Sequence, residues 1–241
     1  METNMLRGAV LFLMVLLASV HQARGQASRP GPRNNLSGDQ PCSLEVAFIV
    51  DSSESAKGAL YEKEKAFVLN MSTSLSALRV AGSAMKVRLA VLQYSSTVDR
   101  AHPLRAWRDL AAFRDAVRSM PYIGHGTYSS YAIGNATQMM AGETSRDSVR
   151  VMVLMTDGVD HPRNPDIVAV SMEAKGHGVK LFAVGLSDVA KQRSATLRSV
   201  ASMPAQQYVH SLADPQLEQI LLRELVRTRT GERREGSRSP G

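Results

Sequence analysis

Five oxygen-bearing side chains stand at positions where a sheet could gather them. Asp51, Ser53 and Ser55 share the run Asp51-Ser52-Ser53-Glu54-Ser55, and Thr127 and Asp157 follow later. Hard cations such as Mg²⁺ take oxygen ligands in octahedral geometry and usually keep several waters. Ser53 and Ser55 offer neutral hydroxyls at alternate positions, while Asp51 and Asp157 offer charge, directly or through water. A ligand set rich in neutral oxygens leaves the cation electrophilic, ready to take a carboxylate from outside. That is the chemistry of a metal-bridged contact between proteins, not of hydrolysis. The expected cofactor is therefore Mg²⁺, with Mn²⁺ or Ca²⁺ as substitutes. Taken alone, Asp51, Ser53 and Ser55 also read as a serine-rich turn capping the next helix.

The elements around these residues decide whether they can meet. Asp51 follows Leu44–Val50, a short and nearly continuous apolar run expected of a central buried strand. Asp157 follows Val149–Met155 in the same relation. Open parallel sheets bind ligands beyond the carboxyl ends of their strands, where the strand order reverses. If these two strands are neighbours there, both aspartates face one crevice. Thr127 comes after Gly124-His125-Gly126, whose glycines let a loop approach closely.

Further strands are expected at Val87–Tyr94, Thr97–Ala101, Val179–Val184 and Gln207–Val209. Apolar spacing predicts helices over Ala59–Leu78, from Leu110 to Met120, and from Ser129 to Met140. Three more are expected, one from Pro165 to Gly176 or Gly178 and others over 188–202 and 213–228. Strands alternating with helices imply a doubly wound, mainly parallel sheet with helices on both faces, in one domain over 42–228.

The ends of the chain read differently. Arg7 precedes the apolar run Ala9–Ala18, and Ala23-Arg24-Gly25 has a small-x-small pattern, so 1–25 is expected to be a signal peptide. The run is short for a bilayer span, which needs about 20 residues, and no stable membrane span is expected. Residues 26–41 are a Pro-, Gly-, Asn- and Ser-rich leader, and 229–241 form a basic tail, both expected to be disordered. The tail glycines recur every fifth residue, which excludes a collagen triple helix. Of the formal net charge of +7, only +2 falls on 42–222. Nucleic acid is therefore not an expected partner, although the tail could touch a polyanion. Cys42 is the only cysteine, leaving an interchain disulfide as its one route to a bridge. Sequons at Asn35, Asn70 and Asn135 are glycosylation candidates that fit export.

Asp51-x-Ser53-x-Ser55, Gly126-Thr127 and Thr156-Asp157-Gly158 together resemble the metal-ion-dependent adhesion site of von Willebrand factor A domains. The runs Val50–Ala56 and Gly126–Ile133 are similar to A domains of collagen types VI and XXVIII. The resemblance covers about 42–228. It implies Ser53, Ser55 and often Thr127 as direct ligands, Asp51 and Asp157 mostly through water, and an acidic side chain of the partner completing the shell. It also implies a secreted, matrix-located adhesion or assembly module whose partners are extracellular matrix proteins. Two features depart from collagen-binding integrin domains. Val159 stands where they carry an acid, and His161-Pro162-Arg163-Asn164-Pro165 leads straight into the next helix without an inserted one. Collagen-like kinship implies an adjacent triple helix, which the 241 residues do not contain.

Other function classes fit less well. An aspartyl phosphotransferase wants a second acid two residues after its nucleophile, and Ser53 stands there. No G-x-G-x-x-G follows the first strand, which argues against a dinucleotide site. His125, His161 and His177 lack metal-ligand spacing and read as solvated loop residues, and the methionines read as core filling. The chain is not expected to be an enzyme, and a metal-dependent hydrolase is the remote alternative. A nearer alternative is chain association through Cys42 and the C-terminal helix, with the metal secondary.

Overall fold

Every residue of β1 (Leu44–Asp51) is buried, which fits a strand with neighbours on both edges and helices on both faces. The computed structural model describes residues 43–80, 83–145, 147–157, 160–187 and 194–230. The expected signal peptide, leader and basic tail from Gly231 onward, together with Asn35, Cys42 and Val159, lie outside the described residues. After β1 come α1 (Ala59–Ser76), a small hairpin of β2 (Arg79–Val80) and β3 (Ser83–Ala84), β4 (Val87–Tyr94), β5 (Val98–His102) and α2 (Leu110–Ser119). Then follow α3 (Ser129–Glu143), β6 (Val149–Thr156), α4 (Ile167–Gly176), β7 (Val179–Gly185), α5 (Ser194–Val200), α6 (Ala205–Tyr208), β8 (Val209–Ser211) and α7 (Leu217–Thr230).

Six strands form one sheet in the order β5-β4-β1-β6-β7-β8, parallel except for the edge strand β5. Successive side chains of a strand point to opposite faces, and the core divides accordingly. Val46, Phe48 and Val50 join Val91, Val153 and Val184 beneath α1, α2 and α7. Ala47 and Ile49 join Leu92, Leu154 and Leu181 beneath α3 and α4. The helices carry matching stripes: Tyr61, Glu64, Val68, Met71 and Leu75 are the buried face of α1. Asp109 caps α2 by accepting from Ala112 N–H at 2.8 Å, and Asp166 caps α4 by accepting from Val168 N–H at 2.9 Å.

The expected doubly wound fold is present, with local corrections. Gln207 and Tyr208 belong to the helical turn α6, and the strand begins only at Val209. Three residues with polar Gln207 inside carry too little alternation to separate a strand from a turn. Helix α7 starts at Leu217, later than expected, and runs to Thr230. On this helix Arg227 donates to Glu224 Oε1 at 3.0 Å. Leu217, Leu221 and Leu225 of α7 are buried in the domain's own core, so that stripe is already occupied. Most methionines fill the core as expected, but Met172 and Met203 are exposed. Among the described residues no helix is long and apolar enough to cross a membrane.

Candidate metal centre

β1 and β6 lie side by side, with Leu44 opposite Val149 and Ile49 opposite Leu154. The chain proceeds from β1 outward to β4 and β5, then returns to the other side of β1 as β6. The strand order thus reverses between these two strands, and Asp51 and Asp157 leave the sheet at that crevice.

Asp51 is fully buried. Its Oδ1 accepts the Ser53 backbone N–H at 2.9 Å, and its Oδ2 lies 3.0 Å from the Tyr94 hydroxyl. That hydroxyl is also 3.0 Å from the Met155 carbonyl. The Asp51 backbone N–H donates to Glu64 Oε2 at 2.9 Å, while Glu64 Oε1 has no partner among the described residues. Burial pushes the Asp51 carboxyl up to about 6. The bonds from Ser53 pull it down, and the charge of nearby Asp157 adds to the rise. Burial also raises Glu64 well above the usual carboxylate range, helped by the charge of Asp51. Asp51 and Glu64 lie at the sheet end with Asp157 beside them, and each charge there raises the cost of the next.

Ser53 and Ser55 lie on a 3-10 turn at the head of the α1 segment, their hydroxyl oxygens 3.0 Å apart. Ser53 is buried and Ser55 exposed, so the pair runs from the interior to the surface. The loop before α3 is stitched to this turn. Ile123 N–H donates to Ser52 Oγ at 2.8 Å, Gly124 N–H to the Ser52 carbonyl at 2.9 Å, and Glu54 N–H to the His125 carbonyl at 2.8 Å. Tyr122 donates its hydroxyl to the Ser53 carbonyl at 2.9 Å. Gly124 sits at φ +79°, and a Cβ there would meet the Tyr122 ring at 2.7 Å, so this turn requires glycine.

Thr127 is held from the opposite side. Its carbonyl accepts His161 N–H at 2.9 Å and Asn164 Nδ2 at 3.0 Å. Asp160 accepts the N–H groups of Ser129 at 3.0 Å and Ser130 at 3.4 Å, and Asn164 Nδ2 at 2.7 Å. A carboxylate thus caps the first turn of α3, where unpaired N–H groups and the helix dipole favour negative charge.

Asp51, Ser53 and Ser55 come together directly. Asp157 is near enough to raise the Asp51 carboxyl, and Thr127 is fixed by the two loops that bracket the crevice. Hydroxyls converging beside carboxylates fit a hard divalent cation, and a cation would relieve the repulsion between Asp51 and Asp157. No group of three or more His, Cys, Asp or Glu in metal-holding geometry occurs among the described residues. A cation here would therefore depend on the hydroxyls.

Three supporting residues escape a sequence reading. Tyr94 ends β4 directly opposite Asp51 in the parallel register, a position visible only once the pairing is known. Glu64 falls on the apolar stripe of α1, where a lone acid gives a weak signal of burial. Asp160 sits in a polar turn with nothing local to mark it as a cap. His125 contributes its backbone, pairing with Ser53, and the His161 ring packs 5.5 Å from Tyr128. Of the sequons, Asn70 is exposed on α1. Asn135 is half-buried on α3, its Nδ2 donating to the Tyr131 carbonyl at 3.0 Å and its Oδ1 accepting from Arg100 at 2.9 Å.

A model of the von Willebrand factor type A domain matches residues 45–224, and the chain belongs to that family. Among curated relatives it is similar to matrilin-1 of Homo sapiens, 33% identical over 86% of this chain and 40% of the relative. It is 35% identical to matrilin-1 of Mus musculus, over 83% of this chain and 38% of the relative. The chain thus spans about two fifths of the length of these matrilins. Among solved structures it resembles proximal thread matrix protein 1 from the mussel byssus. That likeness has a TM-score of 0.61 at 18% identity, over 78% of this chain and 48% of the other. A second structure of that mussel protein, described as having a zinc-occupied MIDAS motif, aligns with a TM-score of 0.60 at 20% identity, over 78% of this chain and 48% of that one. The family and its matrilin relatives place the chain among secreted proteins of the extracellular matrix.

Proposed function

We propose that this chain is a non-enzymatic adhesion or assembly module that binds acidic groups of extracellular matrix proteins through a divalent cation. The observation carrying this reading is the pair of hydroxyls of Ser53 and Ser55, 3.0 Å apart, at the same strand-end crevice as buried Asp51 and neighbouring Asp157. Ser53, Ser55 and Thr127 would hold the cation, and Asp51 and Asp157 would neutralise it. When bound, the cation supplies an electrophilic position for a partner's carboxylate. The protein's own contribution is to fix the oxygens. Tyr94 and Ser53 N–H orient the Asp51 carboxylate, Glu64 anchors its backbone, and the Asp160–Asn164 turn holds Thr127 in place. The zinc-occupied site of the mussel protein supports the reading, since that site lies on the same fold. Mg²⁺ is the proposed ion on the strength of its all-oxygen ligand set.

Titration calorimetry of the secreted chain with Mg²⁺, Mn²⁺ and Zn²⁺ tests this reading. Saturable binding that disappears in Asp51→Ala and Ser53→Ala is expected. Absence of binding to the unaltered chain would overturn it.

A further inference from the structure

Two sequon asparagines, Asn70 and Asn135, fall within the described residues, and their side chains differ. Asn70 is exposed, and its amide has no hydrogen-bond partner among those residues. The Asn135 amide is engaged at both ends, with the Tyr131 carbonyl and with Arg100. Asn70 also lines a groove of about 280 Å³ between α1 and the start of α7. Ala66 and Phe67 flank it on α1, and Pro215 and Leu217 stand opposite. Phe67 and Leu217 are buried, so the floor is apolar. Lys63 and Glu218 join the lining, neither of them held in a hydrogen bond or ion pair among the described residues.

Side chains of a helix tilt towards its N-terminus. Asn70 therefore leans over Ala66 and Phe67, along the groove towards Lys63, which lies two turns or about 10 Å away. The chain is a secreted one, and Asn70-Met71-Ser72 in such a chain is an acceptor for N-linked sugar. In folded α1 Ser72 is buried and its hydroxyl donates to the Leu69 carbonyl at 2.7 Å. Sugar transfer therefore precedes the helix, and the fold must then accommodate the sugar. Asn70 accommodates it without giving up a bond, whereas a sugar on Asn135 would enter an amide already bonded on both sides.

We infer that Asn70 carries an N-linked glycan whose first sugar ring rests in this groove and ties the turn before α7 to α1. In the transfer, Asn70 Nδ2 bonds to the anomeric carbon of a lipid-pyrophosphate-linked oligosaccharide. The bond from that carbon to the pyrophosphate oxygen breaks, lipid pyrophosphate leaves with the electron pair, and one of the two amide protons is released. A pyranose ring has apolar C–H faces and polar edges. Its face packs on Phe67, Pro215 and Leu217, and its edge groups meet Lys63 and Glu218. The groove is just smaller than pockets for whole ligands, which suits a single ring. The inference rests on export and is independent of the cation.

The test uses the full chain secreted from an animal cell line. Enzymatic release of N-glycans in heavy-oxygen water, followed by peptide mass spectrometry, reads the occupancy of each sequon, and Asn70 should carry the label. The folded, secreted chain is then divided, one part trimmed to a single N-acetylglucosamine and the other fully deglycosylated. Both parts have already folded with the glycan in place, so a failure to fold cannot mimic the result. Amide hydrogen exchange over 212–218 should be about fivefold slower in the single-sugar form, with exchange in β1 and β6 the same in both. Lys63→Ala with Glu218→Ala should leave occupancy intact and lose most of that protection. An unmodified Asn70 in the secreted chain, with or without a glycan on Asn135, overturns the inference. An occupied Asn70 whose single sugar leaves exchange over 212–218 unchanged also overturns it, because the ring then lies outside the groove.

Discussion

Asp51 is the residue for which folding and binding pull in opposite directions. Its carboxyl titrates near 3.8 when free and near 6 in the fold, chiefly because burial disfavours the charge. Between those values the folded chain holds a proton that the unfolded chain has lost, so stability falls as pH rises through that window and stays reduced above it. A shift of this size corresponds to roughly 3 kcal/mol at neutral pH. An asparagine in place of Asp51 would carry no charge and could still accept the Ser53 N–H. Asp51→Asn, measured by urea unfolding in EDTA at pH 7.5, should therefore be more stable than the unaltered chain by about 1–3 kcal/mol. The gap should close towards pH 4. The same variant should lose Mg²⁺ binding. A residue whose neutralisation strengthens the fold and removes the ligand is retained for binding. If the asparagine variant is the weaker protein at pH 7.5, burial does not penalise Asp51 as argued. Glu64 sharpens the contrast. Its side chain fills a core position and takes the Asp51 N–H, so Glu64→Ala should lose about 2–4 kcal/mol through a cavity and an orphaned donor, while Glu64→Gln should remain close to the original stability.

At the scale of elements, the end of β6 does two jobs. It delivers Asp157, and the turn beyond it returns Asp160 to cap α3 and His161 and Asn164 to hold the Thr127 carbonyl. Asp160→Ala should lower stability by about 1 kcal/mol, as other cap deletions do, and should weaken Mg²⁺ binding several-fold by loosening Thr127. Asp160→Asn should keep most of both, since asparagine also caps. Titration calorimetry and urea midpoints on the three proteins check this, and equal metal affinity in all three would detach the cap from the site. The sheet edge carries a separate device. His102 on β5 is buried edge-to-face against Phe113 at 5.4 Å and Trp107 at 6.4 Å, and its Nδ1 has no partner among the described residues. Burial lowers its pKa, and the charge of Arg108 lowers it further, against bonds to backbone carbonyls that raise it. The unfolded chain then takes up a proton near 6.5 that the folded chain refuses, so this contribution is complete above that pH and is lost as pH falls. His102→Phe keeps the ring packing without the titration. Its stability relative to the unaltered chain should therefore rise steadily from pH 7.5 to pH 5 in paired urea curves. Asp51 and Glu64 are present in both proteins and cancel from the comparison, so a constant difference would show that His102 does not titrate with folding.

For the whole molecule, the legible part of the sequence was the part with strong periodicity. The apolar runs at 44–50 and 149–155 sit at the centre of the sheet as neighbours, and the two aspartates follow them to the same crevice. Less legible were features that depend on pairing across the fold. These include the Tyr94 hydroxyl opposite Asp51, the Asp160 cap and the turn at Ala205–Tyr208, none of which has a local pattern strong enough to declare itself. The same topology makes a global prediction about the metal. The candidate ligands come from the end of β1, the loop before α3 and the end of β6, segments that are adjacent only in the folded state. The unfolded chain offers no comparable site, so cation binding should stabilise the domain as a unit. At a free Mg²⁺ concentration one hundred times the Kd, the gain is about 2.7 kcal/mol. For a domain of this size that corresponds to a rise in Tm of about 5–10 °C. Scanning calorimetry should show one transition in EDTA and one in Mg²⁺, displaced by that amount and by more as Mg²⁺ increases. Asp51→Asn and Ser53→Ala should show no displacement at any Mg²⁺ concentration. A Tm that ignores Mg²⁺ in the unaltered chain would mean that these three segments do not share a cation.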